Sequence, residues 1–401
     1  MQGPSNIIFI DDHRDTLLPL SYTRCVSQLR IGILTIAGKW QKRMDISQVH
    51  HLTAAYLSEK YPFVATEDNL ILTAGLLPDS RITEAIRKLQ IGEALFHHNT
   101  MLSARLTMDQ AIAFSHTRNL INSDIEKIQY PYEFRLITYP EQIFMWNGAE
   151  LKADFDLITT GRTSQDIEGS NRTKGDHQIF VEAGATIEHS ILNATDGPIY
   201  IGPQAVILDG CALRNGVALC DHAVLKMGAK IYGATTIGPH SKIGGEVKNV
   251  VIQGYSNKSH EGYLGNSVLG EWCNLGADTN SSNLKNDYSE VKLYDYQQQA
   301  MRETGTQFCG LIMGDHCKTG INTMFNTGTV AGICCNIYGA GYQKNFIPSF
   351  SWGGSRDYLT YKIEKVIQVA KRVLNRKNMH LTTADESILR YLSERTALYQ
   401  K

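Results

Sequence analysis

From Ile201 the chain reads "IGPQAV ILDGCA LRNGVA LCDHAV LKMGAK IYGATT IGPHSK IGGEVK". A large aliphatic returns at Ile201, Ile207, Leu213, Leu219, Leu225, Ile231, Ile237 and Ile243. The fourth residue after each is small or β-branched, from Ala205 and Cys211 to Ser241 and Val247. Neither a helical period of 3.6 nor simple strand alternation produces this spacing. It predicts short strands joined by tight corners, with the aliphatics stacked inside and Gly or Asn taking the turns. "VEAGAT" from Val181 and "IEHS" from Ile187 predict an earlier coil, followed by an insertion at "ATDGP". The pattern resumes in "LGEWCNLGADTN" and again in "MGDHCKTGINTMFNTGTVAGICCN". Between those stretches, "DYQQQAMRETGTQF" (295–308) breaks the period and predicts a protruding loop.

The flanks follow other periods. Residues 1–150 alternate short apolar runs with helical patterns. "NIIFI", "NLILTA", "EALFHH" and "FRLITY" predict strands, and 80–90, 107–117 and 139–152 predict helices, which together predict an α/β sheet domain. Residues 151–178 end in a polar run and predict a connector to the repeat array of 179–350. In 351–401 apolar residues return at helical spacing, with Thr382–Thr383 ahead of Glu386 as an N-cap. Two terminal helices bracing the array are expected, their Lys and Arg forming a solvated face.

At 401 residues the chain exceeds one ordinary core, in keeping with this division. Lys+Arg 39 against Asp+Glu 40 gives a net charge of −1, which argues against a nucleic-acid or anionic-membrane partner and leaves room for local basic patches. The eight cysteines show neither a CxxC pair nor zinc spacing, so reduced thiols are expected. "NIIFIDD" is too short for a signal segment or a membrane span, and the expectation is a soluble cytoplasmic protein.

Candidate chemistry concentrates in "NKSHEGYLGNSVLGEWCNLGADTNSSN", Asn257 to Asn283. A β-helix has a filled interior, so a ligand must bind on a coil face or between neighbouring molecules. Acyl transfer to an amine needs a base, and the imidazole of His260 suits that task near neutral pH. Lys248 and Lys258 are close enough in sequence to meet a phosphate. Tyr263, Asn274 and Asn283 offer a phenol and amides for sugar hydroxyls, although each Asn also suits a turn.

The six-residue repeat resembles that of left-handed parallel β-helices, in which three hexads make one coil. More narrowly, "GGEVKNVVIQGYSNKSHEGYLGNSVLGEWCNLGADTNSSNLKND" resembles the acetyltransferase domain of the bifunctional UDP-N-acetylglucosamine pyrophosphorylase/glucosamine-1-phosphate N-acetyltransferases. The resemblance implies that His260 is the general base and that acetyl-CoA is the donor. It implies that Lys248 contacts the sugar phosphate, with Lys226 standing where the family has an arginine. Tyr263, Asn274 and Asn283 would hold the sugar, the backbone around Ala277 would meet the thioester, and the assembly would be a homotrimer. Two positions depart from the family pattern: Leu284 replaces a tyrosine, and Ile321 replaces a small polar residue.

The N-terminal half resembles a divergent branch of the sugar-phosphate nucleotidyltransferases, through "LLPLSYTRCVSQLRIGILTIAGKW" and "GLLPDSRITEAIRKLQIGEAL". The family's Gly-rich nucleotide loop is absent, "FIDDHRDT" standing in its place, and Cys25–Val26 replace the usual Pro-Lys. Without those loop amides, phosphate binding would rest on side chains such as Arg14, Arg24, Arg30 and Lys39. Asp11 and Asp12 would either hold Mg²⁺ between triphosphate oxygens or cap a βα turn. Together the two resemblances imply acetyl transfer to glucosamine 1-phosphate, followed by condensation of a sugar 1-phosphate with a nucleoside triphosphate to give UDP-N-acetylglucosamine or a related NDP-sugar. Two alternatives are nucleotidyl transfer alone, with the β-helix as a trimerisation scaffold, and a non-catalytic trimeric sugar-binding scaffold.

Overall fold

In the computed structural model, which describes residues 4, 6–120, 124–175 and 178–400, the run "NIIFI" is strand β1 (Asn6–Ile10), buried along its whole length. A strand apolar from Ile7 to Ile10 without a break belongs inside a sheet covered on both faces. β1 pairs in parallel with β2 (Val49–Leu52) on one side and with β3 (Asn69–Thr73) on the other. A two-residue strand, β4 (Leu76–Leu77), follows, and then β5 (Glu93–His97), β6 (Thr100–Leu106) and β7 (Glu126–Gln129). The sheet order is β2-β1-β3-β6-β5-β7, with β6 antiparallel to both neighbours. "FRLITY" supplies only β8 (Arg135–Leu136), which pairs with β4 outside this sheet.

Helices α1 (Ile36–Met44), α2 (Ser80–Arg87) and α3 (Met108–Thr117) each begin at a polar cap, on Thr35, Asp79 and Thr107 respectively. Thr107 and Gln110 form a full capping box. Helix α4 (Glu141–Thr159) is longer than the pattern over 139–152 suggested, and it takes up the start of the expected connector. Its apolar face explains the extension. Leu151 and Phe155 pack with Phe180, Tyr200 and Ala218 of the first coils, so the helix continues as long as it has coil surface to cover.

The chain forms two units, and their border is interleaved. One holds residues 1–17, 24–29 and 34–138; the other holds 18–23, 30–33 and 139–401. In the second unit the amide side chain of Asn147 accepts from Gly32 N–H at 2.7 Å and donates to Ala234 O at 2.6 Å. Asp154 accepts from Ile33 N–H at 2.8 Å. Thr23 donates its hydroxyl proton to Asp315.

The repeat array is a parallel β-helix. Ile201 pairs with Leu219 and Leu219 with Ile237, so three hexads make one coil. The eight periodic aliphatics are all fully buried, each worth about 1.5–3 kcal/mol of hydrophobic stabilisation. Beyond Ile243 the coils change length, since Ile237 pairs with Ile252, Ile252 with Leu269 and Leu269 with Met313. The strict hexad ends there because the coil is shortened, while the stacking continues.

The long step between Leu269 and Met313 contains the stretch expected as a loop. Part of it is an antiparallel hairpin of Lys292–Asp295 with Ala300–Glu303. Asp295 closes its turn by accepting from the N–H groups of Gln297 and Gln298, and the ring of Tyr294 stacks on Phe346 at 3.6 Å.

Helices α5 (Ile363–Asn375) and α6 (Thr383–Arg395) end the chain. Thr382 is the N-cap of α6, but its reciprocal partner is Asp385. Glu386 instead pairs with Lys371 and Arg390. All eight cysteines are buried and unpaired. Among the described residues no helix is long and apolar enough to cross a membrane.

Candidate functional site

In the first unit a cavity of about 340 Å³ opens beyond the carboxyl ends of β1 and β3, the neighbouring parallel strands where open α/β sheets bind ligands. Asp12, His13, Thr73, Asn99, Arg118 and Lys127 line it. Arg118 lies 3.4 Å from Asp12 and also donates to Leu52 O. No motif marks Arg118 or Lys127. Arg118 follows α3 in the left-handed conformation, φ 53°, and that backbone turn brings it to the cavity.

The sequence candidates for this unit are mostly committed elsewhere. One oxygen of Asp11 accepts from Val26 N–H at 2.8 Å; the other accepts from Thr53 Oγ1 at 2.7 Å and Arg14 Nε at 3.2 Å. Burial pushes its carboxyl above the usual range, so it serves as a bracket between segments, the turn-capping alternative in an extended form. Arg14 also donates to Tyr56 Oη at 2.9 Å. Arg24 and Lys39 are buried, Lys39 beside Ile36, Ala37 and Trp40 on the inner face of α1. None of Arg14, Arg24 and Lys39 lines the cavity.

Arg30 belongs to the second unit. Its guanidinium donates to Ile33 O and to the Cys220 sulfur, and its backbone is clasped on both sides by the Gln253 amide. Asp11 thus accepts three hydrogen bonds from the protein, while Asp12 lies at the cavity 3.4 Å from Arg118. Among the described residues no cluster of three or more His, Cys, Asp or Glu could hold a metal ion.

On the β-helix, register explains which side chains meet. Lys242 pairs with Asn257, Asn257 with Asn274 and Asn274 with Lys318, so these outward positions form one polar ladder across successive coils. A cavity of about 660 Å³ lies over this ladder, lined also by Lys226 and His260 at one corner and by Tyr255 and Trp272 at the other. Val373, Arg376 and Lys377, from the end of α5 onward, form a further wall. The basic residues of this segment are therefore not all a solvated face. Among the described residues no acidic one lines the cavity.

Two of these lysines titrate below their usual range. Burial lowers the Lys318 ammonium below its usual value, and burial with the nearby Lys242 and Arg376 does the same for Lys377. The aromatic corner is a stack in which His222, His240, Tyr255, Trp272 and His316 follow one another at ring separations of 4.7, 5.0, 4.4 and 6.4 Å. All five sit at left-handed φ, one at the same corner of each coil.

The remaining candidates gather on the next face. His260 lies in the turn joining Asn257–Lys258 to the strand Tyr263–Glu271, and Gly262 completes that turn at φ 117°. A Cβ there would come within 2.3 Å of Thr279 O, so the corner requires glycine. Past the corner, Asn283 Nδ2 donates to Tyr263 Oη at 3.0 Å and to Asn266 Oδ1 at 2.8 Å. Lys248 lies opposite Gly265 on the paired strand, its ammonium 5.8 Å from the Tyr232 ring. Tyr232 donates to Glu246 at 2.6 Å, and that carboxylate, followed by burial, pushes the phenol up to about 12.

Lys226, His260 and Asn274 thus share one cavity, while Lys248, Tyr263 and Asn283 share the neighbouring face, with the His260 corner between the two groups. Ala277 sits on the coil after His260, where Asp278 N–H bonds to Glu261 O. Ile321 follows on the next coil and is 72 % exposed. Leu284 bridges to Phe308 at the foot of the hairpin excursion. Lys258 points inward and takes no part in either outer group.

Comparison with known proteins agrees with this division. The Sugar nucleotidyl transferase family matches residues 6–163. The "Bifunctional protein GlmU" of Methanocaldococcus jannaschii is 33% identical over 117 residues, covering 29% of this chain and 28% of the relative. The "Bifunctional sugar-1-phosphate nucleotidylyltransferase/acetyltransferase" of Sulfurisphaera tokodaii is 29% identical over 170 residues, covering 42% of this chain and 41% of the relative. The matched stretches therefore span well under half of either relative. The solved UDP-N-acetylglucosamine acyltransferase from Campylobacter jejuni covers 56% of this chain and 95% of its own at 14% identity, with a TM-score of 0.29, too slight to add to the fold described above. The chain thus places a match to the Sugar nucleotidyl transferase family ahead of a parallel β-helix, and in sequence it is similar to the bifunctional GlmU proteins.

Proposed function

We propose that the β-helix transfers an acetyl group from acetyl-CoA to the amine of glucosamine 1-phosphate. The sheet domain, in this reading, joins a sugar 1-phosphate to a nucleoside triphosphate. The observation that carries the first step is the convergence of His260, Asn274 and Lys226 on a basic cavity whose lining, among the described residues, holds no carboxylate. The imidazole of His260 takes a proton from the sugar ammonium. The freed amine attacks the thioester carbonyl, the C–S bond breaks, and the thiolate leaves to be protonated.

Lys248, Tyr263 and Asn283 bind the sugar phosphate and hydroxyls on the neighbouring face. Lys226 and Asn274 reach the acceptor from the cavity side, and the backbone around Ala277 flanks the acetyl group. A homotrimer, in which a second copy closes the open cavity, and work in the cytoplasm, where acetyl-CoA and nucleoside triphosphates are made and used, belong to this reading.

For the second step the support is the family match over 6–163 and the relatives' bifunctional names. A phosphate oxygen of the sugar attacks the α-phosphorus of the triphosphate and pyrophosphate departs. Arg118 and Lys127 neutralise the phosphates at the end of β1 and β3, where the Gly-rich loop is missing.

The test is direct. The protein is incubated with acetyl-CoA and glucosamine 1-phosphate, and separately with UTP or dTTP and sugar 1-phosphates, following thiol and pyrophosphate release. His260→Ala should lower thiol release by about 10²–10⁴-fold and leave pyrophosphate release intact. Thiol release undiminished in that variant removes the base, and absence of either product from the native protein removes the corresponding step.

A further inference from the structure

One row of inward positions along the β-helix reads Ile207, Leu225, Ile243, Lys258, with strand pairing placing each directly above the last. Leu275, the next inward residue, and the three aliphatics before Lys258 are buried members of the apolar core. Lys258 occupies a core position with only 1% of its surface exposed. An ammonium placed there loses its hydration, which costs several kcal/mol unless hydrogen bonds replace the water. Nothing in the hexad pattern asks for a charge at this point, so its presence calls for a function.

Its bonds point to one. Lys258 Nζ donates to Gly244 O at 3.0 Å and to His260 O at 2.8 Å. Gly245, at φ 71°, keeps the space open, since a Cβ there would lie 2.9 Å from both Nζ and His260 O. The ammonium therefore ties the corner that carries His260 to the coil beneath it. We propose that Lys258 is a positioning residue, which fixes the Ser259–Gly262 corner so that the imidazole of His260 is held toward the acceptor.

Burial pushes this ammonium down to about 8, with Glu261 and Asp278 acting to raise it and Lys230 to lower it further. It stays mostly charged at neutral pH. These carboxylates and this second lysine are the charged groups that face it.

The assignment rests on His260 as the acetyl-transfer base, but one readout does not. Lys258→Met keeps the length of the side chain and removes the charge, and methionine is at home in an apolar core. The first measurement is the rate of diethylpyrocarbonate modification at His260 at neutral pH, followed by mass spectrometry of its peptide, in the native protein and in K258M. The rate is expected to change severalfold in K258M, and amide hydrogen exchange across 259–262 to speed up by tenfold or more while the neighbouring coils stay protected. The second is acetyl transfer, where kcat is expected to fall by about tenfold and KM for acetyl-CoA to hold.

An unchanged modification rate together with unchanged exchange at the corner overturns the proposal. So does an activity loss that only parallels loss of folded protein. If the native protein transfers no acetyl group while the modification rate and corner exchange still respond to K258M, the positioning stands and the acetyltransferase reading falls.

Discussion

His260 and Lys258 stand two residues apart, yet one lines an open cavity and the other faces the interior. Lys258 has its folded value lowered from the ordinary lysine range to about 8. Between those two values the unfolded chain binds the extra proton and the folded chain does not, so this group makes the protein more stable as pH rises from about 8 to about 10.5. Below about 8 both states are charged and the burial cost stays constant. Chemical denaturation of the native protein compared with K258M should therefore diverge across that window, by up to about 3 kcal/mol, with the slope present only in the native protein. Parallel curves would mean that the ammonium is hydrated.

The two residues also differ in how much of them the sequence reveals. His260 stands out in the sequence because its spacing to Tyr263 and Asn274 follows the family pattern. Lys258 is close enough in sequence to meet a phosphate, but sequence proximity says nothing about which side of a coil a residue takes once the hexad has been shortened. Asp11 leaves two readings open in the sequence, a metal ligand or a turn cap, and only the structure shows that Val26, Thr53 and Arg14 already donate to its oxygens.

Helix α5 was legible as a helix from its spacing, and its four buried residues Val366, Ile367, Ala370 and Leu374 lie at the positions that spacing predicts. Its functional end was not, because Arg376 and Lys377 look like any exposed basic pair until the helix is docked. Lys377 reaches toward His240 O at 3.4 Å, and both basic residues line the cavity. Reversing the two charges together, Arg376→Glu with Lys377→Glu, should raise KM for the anionic acceptor, which Lys226 and Asn274 reach from the cavity side, by about tenfold or more at low salt. The effect should shrink as ionic strength rises, with the thermal midpoint nearly unchanged. Steady-state kinetics at two salt concentrations checks this, and a salt-independent effect would argue for a packing change. The hairpin at Lys292–Glu303 was missed for a different reason. Its turn is made by the side chain of Asp295 and by Gln299 at φ 50°, with no Gly or Pro to announce it.

At the scale of the whole chain, the hexad row predicted the β-helix and the alternation before it predicted the sheet domain, but neither predicted that the two are interleaved. The segments 18–23 and 30–33 lie in the β-helix unit, and no periodic signal in them marks this. A fragment starting at residue 139 would leave the buried Asn147 and Asp154 without the N–H groups of Gly32 and Ile33. Such a fragment should melt several degrees below the corresponding transition of the full chain, measurable by calorimetry. An equal midpoint would mean that those segments are dispensable. Light scattering at micromolar concentration should give three times the chain mass if the cavity is closed by a neighbouring copy, and a persistent single-chain mass would refute that assembly.

Interleaving also sets an order of events during synthesis. Thr23 leaves the ribosome 292 positions ahead of its partner Asp315. The segment 18–23 must wait, half-satisfied, until the coil that carries Asp315 has been made. A chain interrupted before that coil would carry exposed, unfinished surface at this segment, which is where chaperones and proteases would find it.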